Sequence, residues 1–560
     1  MGRPRVGDGR QNLPTLKCKI TCNRADALVL YVPQSVNEFQ PIPAPTLTRQ
    51  DGQDSSTMGT ADIAIASPEK QQAGKHRRRL GVPALTFMVI AASAPLTVLA
   101  GGVTTTLAVT AVIGIPLSYL LLALALGVFS VGYAAMSRYI TNAGAFYAYI
   151  AQGISRPLGV GASIVALVSY NGMQIGLYGM FGFTVASLVN TKLGLAIPWW
   201  SPVFACISIV GLLGINRIDL SARVLGVLVG FEFIIVILYD CVAFHAAPEG
   251  ISVAPLQPAS LLVNGMGAAF AFGIAAFMGF ESAAIYGEES RDPEQTVARA
   301  TYTAVAIIGL FYAVSAWAMT LSTGPGRIVA VVQKLGADLI FNFIGLHMGT
   351  FVGSIAQLLF VTSLFASLVS FHNAVARYFF SLGRESVLPE VLSRVRKSSG
   401  SPYIGSFAQT AIAVAVVSAF AVAGTSSGMG TMFPVLTLFC WLTNAGAMGL
   451  VLLMALVSIA VIGYFGKQRR RPGLWTRVFA PILSFVALGT IFILILTNFD
   501  VLLAQKESNA VTWILPAIVI VPGIIGVFRG CYLKKNRFEI YRQIGQRPGA
   551  GETLGSGMHF

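Results

Sequence analysis

Charged residues are scarce in this chain, because Asp, Glu, Lys and Arg make up 11% of its 560 residues. Soluble globular proteins carry about 25%. Soluble-enzyme motifs are also missing: there is no glycine-rich phosphate loop with Lys-Ser or Lys-Thr, and the five histidines are dispersed. The sequence therefore excludes a cytosolic enzyme and predicts no cofactor, no metal site and no ATP hydrolysis by this chain.

Cysteine is rare as well, and its pattern excludes a disulfide framework. The six cysteines are scattered, four of them in or beside apolar stretches, so no zinc site is predicted either. Lys and Arg number 38 against 23 Asp and Glu. These basic residues fall in short clusters between apolar stretches, without the interleaved aromatics of a nucleic-acid surface. We expect no nucleic-acid partner.

The N-terminal region is polar and contains no long apolar stretch. Residues 1–82 end in a basic cluster from Lys75 to Arg79, which predicts a disordered cytoplasmic tail. We expect the first membrane helix to direct insertion, because no signal-peptide core precedes it. Translation from Met1 and translation from Met58, which begins a shorter tail, are both open.

Long hydrophobic stretches fill the remainder, in keeping with a hydrophobic content of 55%. A membrane crossing needs about 20 apolar residues, and hydropathy predicts twelve helices, numbered 1 to 12. With a cytoplasmic N-terminus, 34 of the 38 Lys and Arg lie inside, so the positive-inside rule places both termini in the cytoplasm. The sequence predicts an all-α, multi-pass integral protein of the plasma (inner) membrane, with lipid neighbours. The predicted helices are 84–106, 109–136, 158–188, 198–215, 221–246, 264–287, 298–322, 349–380, 404–425, 431–464, 474–498 and 509–530.

Helix-breaking residues interrupt predicted helices 1 and 6 in mid-membrane. Helices 1 and 6 begin two blocks of five helices, and an odd number per block makes the second block inverted. Paired interruptions in inverted repeats point to a substrate site at the membrane midplane; kinked, closely packed helices are the alternative. The candidate substrate-binding residues are Ala92, Ser93, Ala94 and Pro95 in helix 1, and Phe277, Gly279, Phe280 and Ser282 in helix 6.

Two carboxyl groups lie deep in the predicted membrane, at a cost of at least about 2.5 kcal/mol each. Glu281 is in the interrupted stretch of helix 6, and Glu232 is in the middle of helix 5. Both are candidates for proton coupling, and protonated acids that only join helices are the alternative. The interruption favours coupling for Glu281, whereas the continuous helix favours a structural role for Glu232. Asp240, nearer the outer end of helix 5, is expected to reach water.

Other polar side chains inside predicted helices either join helices or line a cavity. In helix 8, the hydroxyls of Thr362 and Ser363 are candidates for an ion site beside an opened helix 1, and hydrogen bonding to their own helix is the alternative. His372 is expected to be a cation at the cytoplasmic end of helix 8. The possible cavity-lining residues are Asn171 and Gln174 in helix 3, and Trp441 and Asn444 in helix 10.

Glycines four residues apart predict close helix packing in two places. One pair is Gly172 and Gly176 in helix 3, and the other is Gly226 and Gly230 in helix 5.

Further motifs occur at residues 92–96, 133–137, 143–149, 280–293, 376–389 and 401–402. Together they resemble the amino acid–polyamine–organocation superfamily, in particular its bacterial-type amino acid permeases. The resemblance covers about residues 84–530.

The resemblance implies a five-plus-five inverted-repeat core followed by two extra helices, and secondary transport of amino acids or related amines. In that family the substrate carboxylate meets backbone N–H groups at the helix 1 break, and its ammonium meets carbonyls at both breaks. Half-helix ends with charges of roughly +0.5 and −0.5 suit such a zwitterion. Glu281 matches a glutamate that couples substrate to protons in a related exchanger. Helix 1 lacks the glycine-rich break of many relatives, and helix 5 lacks the lysine of some proton-coupled members.

The expected function is an amino acid permease that works by alternating access with proton symport, sodium being the less favoured ion. Neutral amino acids are the favoured substrates, because no Lys or Arg deep in the predicted membrane would pair with an acidic substrate. A cationic amino acid or polyamine transporter or exchanger is one alternative, and a membrane sensor on a transporter-like scaffold is another. The expected organisation is the tail 1–82, a first repeat 83–246, a second repeat 247–464, helices 11 and 12 in 465–530, and a cytoplasmic C-terminal tail 531–560.

Overall fold

The described part of the chain is residues 81–546, apart from a few short internal segments. The structure is a computed structural model. The predicted disordered tail as far as residue 80 and both candidate start sites, Met1 and Met58, lie outside the described residues, and Val82, the last residue of the predicted tail, begins the first helix. The undescribed internal segments are 141–143, 145, 217–218, 286–289, 291, 397–398, 469–471 and 504–509.

Helices coincide with each predicted apolar stretch. Within the described ranges, nine helices are long and apolar enough to cross a membrane, and a tenth span is possible if one bent pair counts as a span. The number of twelve crossings stays a prediction, because the described segments of helices 1, 4 and 6 are shorter than a full membrane span. The cytoplasmic location of both termini also stays a prediction. The bounds are helix 1a Val82–Ser93, 1b Thr97–Thr110, 2 Ile115–Ser137, 3 Arg156–Leu193, 4 Trp200–Asn216, 5 Asp219–His245, 6a Met266–Phe277, 6b Ser282–Ile285, 7 Pro293–Thr323, 8 Thr350–Arg384, 9 Tyr403–Thr425, 10 Gly430–Lys467, 11 Trp475–Thr497 and 12 Ala510–Asn536.

Helices 1 and 6 are both interrupted by a residue with positive φ. Ala94 follows helix 1a with φ +49°, and Gly279 follows helix 6a with φ +107°. The left-handed conformation costs an alanine about 1–2 kcal/mol, whereas glycine adopts it freely. The next residue in helix 1, Pro95, has no N–H to continue the helical hydrogen bonds.

The two interrupted helices lie against each other. Helix 6a packs against helix 1b, and helix 6b packs against helix 1a. Helices 7 and 10 are the most enclosed spans, with 67% and 78% of their apolar windows buried, whereas helix 9 is peripheral at 17%. The interruptions therefore lie among enclosed helices rather than at the lipid surface.

Helices 3 and 10 approach closely at the first glycine pair. A Cβ on Gly176 would lie 2.4 Å from Thr443 Oγ1, and one on Gly172 would lie 2.9 Å from the carbonyl oxygen of Leu442. The second pair behaves differently, because a Cβ on Gly230 would meet nothing within 4 Å. Close packing explains the glycines of helix 3 but not Gly230.

Several short helices were not anticipated, because each is shorter than the hydropathy window. Phe146–Gly153 precedes helix 3, and Ile328–Leu335 and Asp338–Met348 follow helix 7, bent by 102° relative to each other. Ile328–Leu335 packs against helix 1b.

The residues after helix 12 fold back onto the protein. Ile544 is fully buried, and the N–H of Gly545 donates to Glu385 Oε2 at 3.0 Å. Gln152 Nε2 donates to the carbonyl oxygen of Gly545 at 2.6 Å. The C-terminal region, predicted as a tail from 531, is therefore helical to Asn536 and again over Phe538–Gln543, and it is packed as far as Gly545.

Candidate functional site

Glu232 lies at the N-terminus of helix 1b. The turn at Ala94 leaves the N–H groups of Leu96 and Thr97 without helical acceptors. Leu96 N–H donates to Glu232 Oε2 at 3.3 Å, and Thr97 N–H donates to Ser363 Oγ at 3.2 Å. Ser363 Oγ in turn donates to Glu232 Oε2 at 2.6 Å. The carboxylate thus caps a helix end that carries partial positive charge.

Glu281 caps the loop that interrupts helix 6. Its Oε2 accepts from the N–H of Gly279 at 2.9 Å, and its Oε1 accepts from the hydroxyl of Tyr170. The hydroxyl of Tyr133 donates to the backbone carbonyl of Glu281 at 2.9 Å. Helices 2 and 3 therefore hold the interrupted stretch of helix 6 through two tyrosines.

Ser93 connects the two interruptions directly. Its hydroxyl donates to the carbonyl oxygen of Ala276, in the last turn of helix 6a, at 2.9 Å. The same hydroxyl pairs with the hydroxyl of Tyr312 on helix 7. Ser93 therefore joins the break of helix 1 to the end of helix 6a and to helix 7.

The two phenylalanines of helix 6 belong to aromatic clusters with helix 2. Phe277 lies 6.2 Å from Tyr119, and Phe280 lies 6.1 Å from Phe129, between ring centroids. Both phenylalanines are fully buried, as is Glu232, and Glu281 is 1% exposed. The polar groups at the interruptions are therefore enclosed in this conformation.

The remaining helix 1 and helix 6 candidates divide into two groups. Ala94 and Pro95 are buried and form the break itself. The side chains of Ala92 and Ser282 lie outside the described residues.

The four possible cavity-lining residues do not form one group. Asn171 and Asn444 donate to carbonyls of their own helices, at Leu167 and Cys440. Trp441 lies beside Phe420, with ring centroids 6.2 Å apart. Among the described residues the side-chain oxygens of both asparagines and the Trp441 indole nitrogen have no hydrogen-bond partner.

Gln174 belongs to a buried network that joins helices 3, 8 and 9. It accepts from Gln409 and contacts His372 Nδ1 at 3.3 Å, and His372 Nε2 lies 2.7 Å from Ser406 Oγ. His372 was expected to be a terminal cation of helix 8, which was wrong, because it is 2% exposed and hydrogen-bonded on both nitrogens.

Asp240 was expected to reach water, and this was also wrong. It is 7% exposed and accepts from Ser315 Oγ on helix 7 at 2.6 Å.

Only one of the two candidate ion-site hydroxyls lies at the interruption. Ser363 contacts both Glu232 and helix 1b, as described above. Thr362 Oγ1 donates to the carbonyl oxygen of Leu359 on its own helix at 2.9 Å. The structure therefore separates the two residues.

Tyr312 and Gln409 were missed in the sequence. A tyrosine hydroxyl or an amide inside an apolar helix needs a partner when buried, and that signal was present at both positions. The hydrogen-bond partners of these two residues, Ser93 for Tyr312 and Gln174 for Gln409, are however on helices distant in the sequence.

Comparisons with known proteins agree with this architecture. A family model described as "Amino acid permease" matches residues 80–524. Among solved structures of similar fold is a mutant manganese transporter of Eremococcus coleocola, with a TM-score of 0.51 and 17% identity. That similarity covers 82% of this chain and 95% of the other. A search of curated proteins found no match.

The family match places the chain among the multi-pass membrane transporters of the amino acid–polyamine–organocation superfamily, and the fold agrees with that class. Within that class, the chain belongs to the amino acid permease family, as the match over most of its length shows.

Proposed function

We propose that this protein transports amino acids across the plasma membrane by alternating access, and that substrate binds between the interruptions of helices 1 and 6. The hydrogen bond from Ser93 to Ala276 carries this proposal, because it brings the two interruptions into direct contact. A half-helix N-terminus at Thr97 and a half-helix C-terminus at Phe277 offer opposite partial charges. An amino acid zwitterion matches that arrangement.

We further propose that transport is driven by protons. Glu281 Oε2 accepts from Gly279 within the interrupted stretch of helix 6, and its Oε1 accepts from Tyr170 on helix 3, so a change in its protonation would alter how that stretch is held. Substrate binding and release would then be linked to proton movement.

A cationic amino acid or a polyamine is the second candidate substrate. It is favoured by the two enclosed carboxyl groups, Glu232 and Glu281, which would attract a cation. Within the described residues neither carboxyl group forms an ion pair with Lys or Arg.

Uptake of a labelled panel of amino acids and amines into proteoliposomes tests the function. The panel is assayed with an imposed proton gradient, with a sodium gradient and with neither. We expect accumulation of amino acids only under the proton gradient. Accumulation under sodium alone would overturn proton coupling, and uptake of amines alone would replace the substrate class. No uptake by folded protein would show that the fold serves another function, such as sensing.

A further inference from the structure

The backbone donors at the start of helix 1b already have an anion of this chain against them. Glu232, fully buried on helix 5, accepts from Leu96 N–H directly and is linked to Thr97 N–H through Ser363. Its other oxygen, Oε1, is buried and has no hydrogen-bond partner among the described residues. Helix 1b, Thr97–Thr110, is long enough to present a dipole at this end.

We propose that Glu232 and the carboxylate of the substrate compete for the N-terminus of helix 1b, and that Glu232 takes up a proton when the substrate displaces it. This inference rests on the proposed function. The two anions cannot share the same N–H donors, because each buried carboxylate needs them to offset the loss of water. Protonated Glu232 is neutral, and its O–H can donate to Ser363 or to the substrate carboxylate.

Proton uptake follows from the surroundings of Glu232. Helix 5 packs against helices 1a, 7 and 8 and against Asp338–Met348. The facing titratable group on helix 7 is Tyr312, and Arg299 on the same helix is exposed near its cytoplasmic end. Helix 1a has no titratable residue.

The other titratable groups near this part of helix 5 are distant from Glu232 or hydrogen-bonded to other groups. On helix 8 the nearest titratable residue is His372, nine residues beyond Ser363 and bonded to Ser406. Asp338 begins the short helix Asp338–Met348, and His347 in that helix bonds to its own backbone. Asp240, two turns along helix 5, is bonded to Ser315. Within the described residues, displaced Glu232 therefore has no Lys, Arg or His side chain of this chain to pair with, and a proton neutralises it.

The competition predicts a pH dependence that is specific to ligands with a carboxylate. An amino acid must displace ionised Glu232, so its binding weakens as pH rises, by up to about tenfold per pH unit once Glu232 is ionised. An amine that has the same side chain but no carboxylate does not compete for helix 1b and leaves Glu232 in place. Any contribution of Glu281 acts on the shared ammonium group and affects both ligands alike.

The test is equilibrium binding to the full-length protein in nanodiscs from about pH 5 to about pH 8, where both ligands keep their ammonium. The probes are leucine with 3-methylbutylamine, and lysine with 1,5-diaminopentane. We expect the Kd of the amino acid relative to that of its amine to rise with pH. In Glu232→Gln this ratio becomes independent of pH. Asp240→Asn, which neutralises another buried carboxyl group on the same helix, keeps the wild-type slope.

Either of two results would overturn the competition. One is a pH-independent ratio in the wild-type protein, a comparison that needs no variant to fold. The other is an unchanged slope in Glu232→Gln. Absence of binding by every probe would instead overturn the proposed function itself.

Discussion

At the scale of single residues, three buried side chains satisfy the backbone groups that the interruptions expose. Glu232 serves the start of helix 1b, Glu281 serves the loop of helix 6, and Ser93 serves the end of helix 6a. An unsatisfied backbone group costs several kcal/mol in a membrane interior. These residues therefore satisfy irregular backbone that is enclosed among the helices, whatever further role they have in transport.

Replacing Glu281 with glutamine should uncouple transport from protons. The amide oxygen can still accept one of the hydrogen bonds from Tyr170 or Gly279, but it cannot carry a proton. In proteoliposomes we expect loss of accumulation driven by a proton gradient, with exchange of internal for external substrate partly retained. Unchanged pH dependence of uptake would remove Glu281 from coupling. Asp240→Asn is the matched control.

The sequence predicted the residues on the broken helices but not their partners. Ser93 and Glu281 were identifiable because each lies beside a helix breaker. The partners of Glu232 lie 131 and 136 residues away at Ser363 and Leu96, which no local pattern reveals. Thr362 was grouped with Ser363, but adjacent residues on a helix point about 100° apart, so only one faces helix 1b.

At the scale of single elements, helix 1 depends on a strained alanine, Ala94. Glycine would adopt this left-handed conformation without strain. We expect Ala94→Gly to unfold in detergent at the same or a higher temperature than wild type. Ala94→Val should unfold at a lower temperature, because a β-branched residue is strongly disfavoured at positive φ. A higher unfolding temperature for the valine variant than for the glycine variant would contradict the left-handed turn.

The contact between helices 3 and 10 gives a second prediction for an element. Gly176→Ala would place its Cβ 3.0 Å from the backbone nitrogen of Thr443, so the helices must separate. We expect a loss of about 1–3 kcal/mol in stability, measured as a lower unfolding temperature and less folded protein. Gly230→Ala, where a Cβ meets nothing within 4 Å, should have little effect. Equal effects of the two variants would refute close packing.

Hydropathy found the long helices because each needs a continuous apolar stretch to cross a bilayer. It did not find Ile328–Leu335 and Asp338–Met348, which are too short to give that signal and owe their helical form to packing, the first against helix 1b. Helix formation in such short segments depends on tertiary contacts.

At the scale of the whole molecule, the basic residues define a testable orientation. Lys192 lies in the last turn of helix 3 and Arg394 follows helix 8, and both are exposed. We expect a membrane-impermeant maleimide to label Lys192→Cys on intact cells, and to label Arg394→Cys only after permeabilisation. The wild-type chain measures the background from Cys241 and Cys531, which are exposed. The reverse pattern would invert the predicted topology.

The hydrogen bond between Glu385 and Gly545 can form only some time after Glu385 has been synthesised. The two residues are 160 positions apart, and ribosomes add about 5–20 residues per second, so on the order of ten to thirty seconds separate their synthesis. During that interval Glu385, just after the end of helix 8, lacks the N–H of Gly545 as a hydrogen-bond donor. A segment translated after helix 12 thus completes the surroundings of a carboxylate that was synthesised before helix 9.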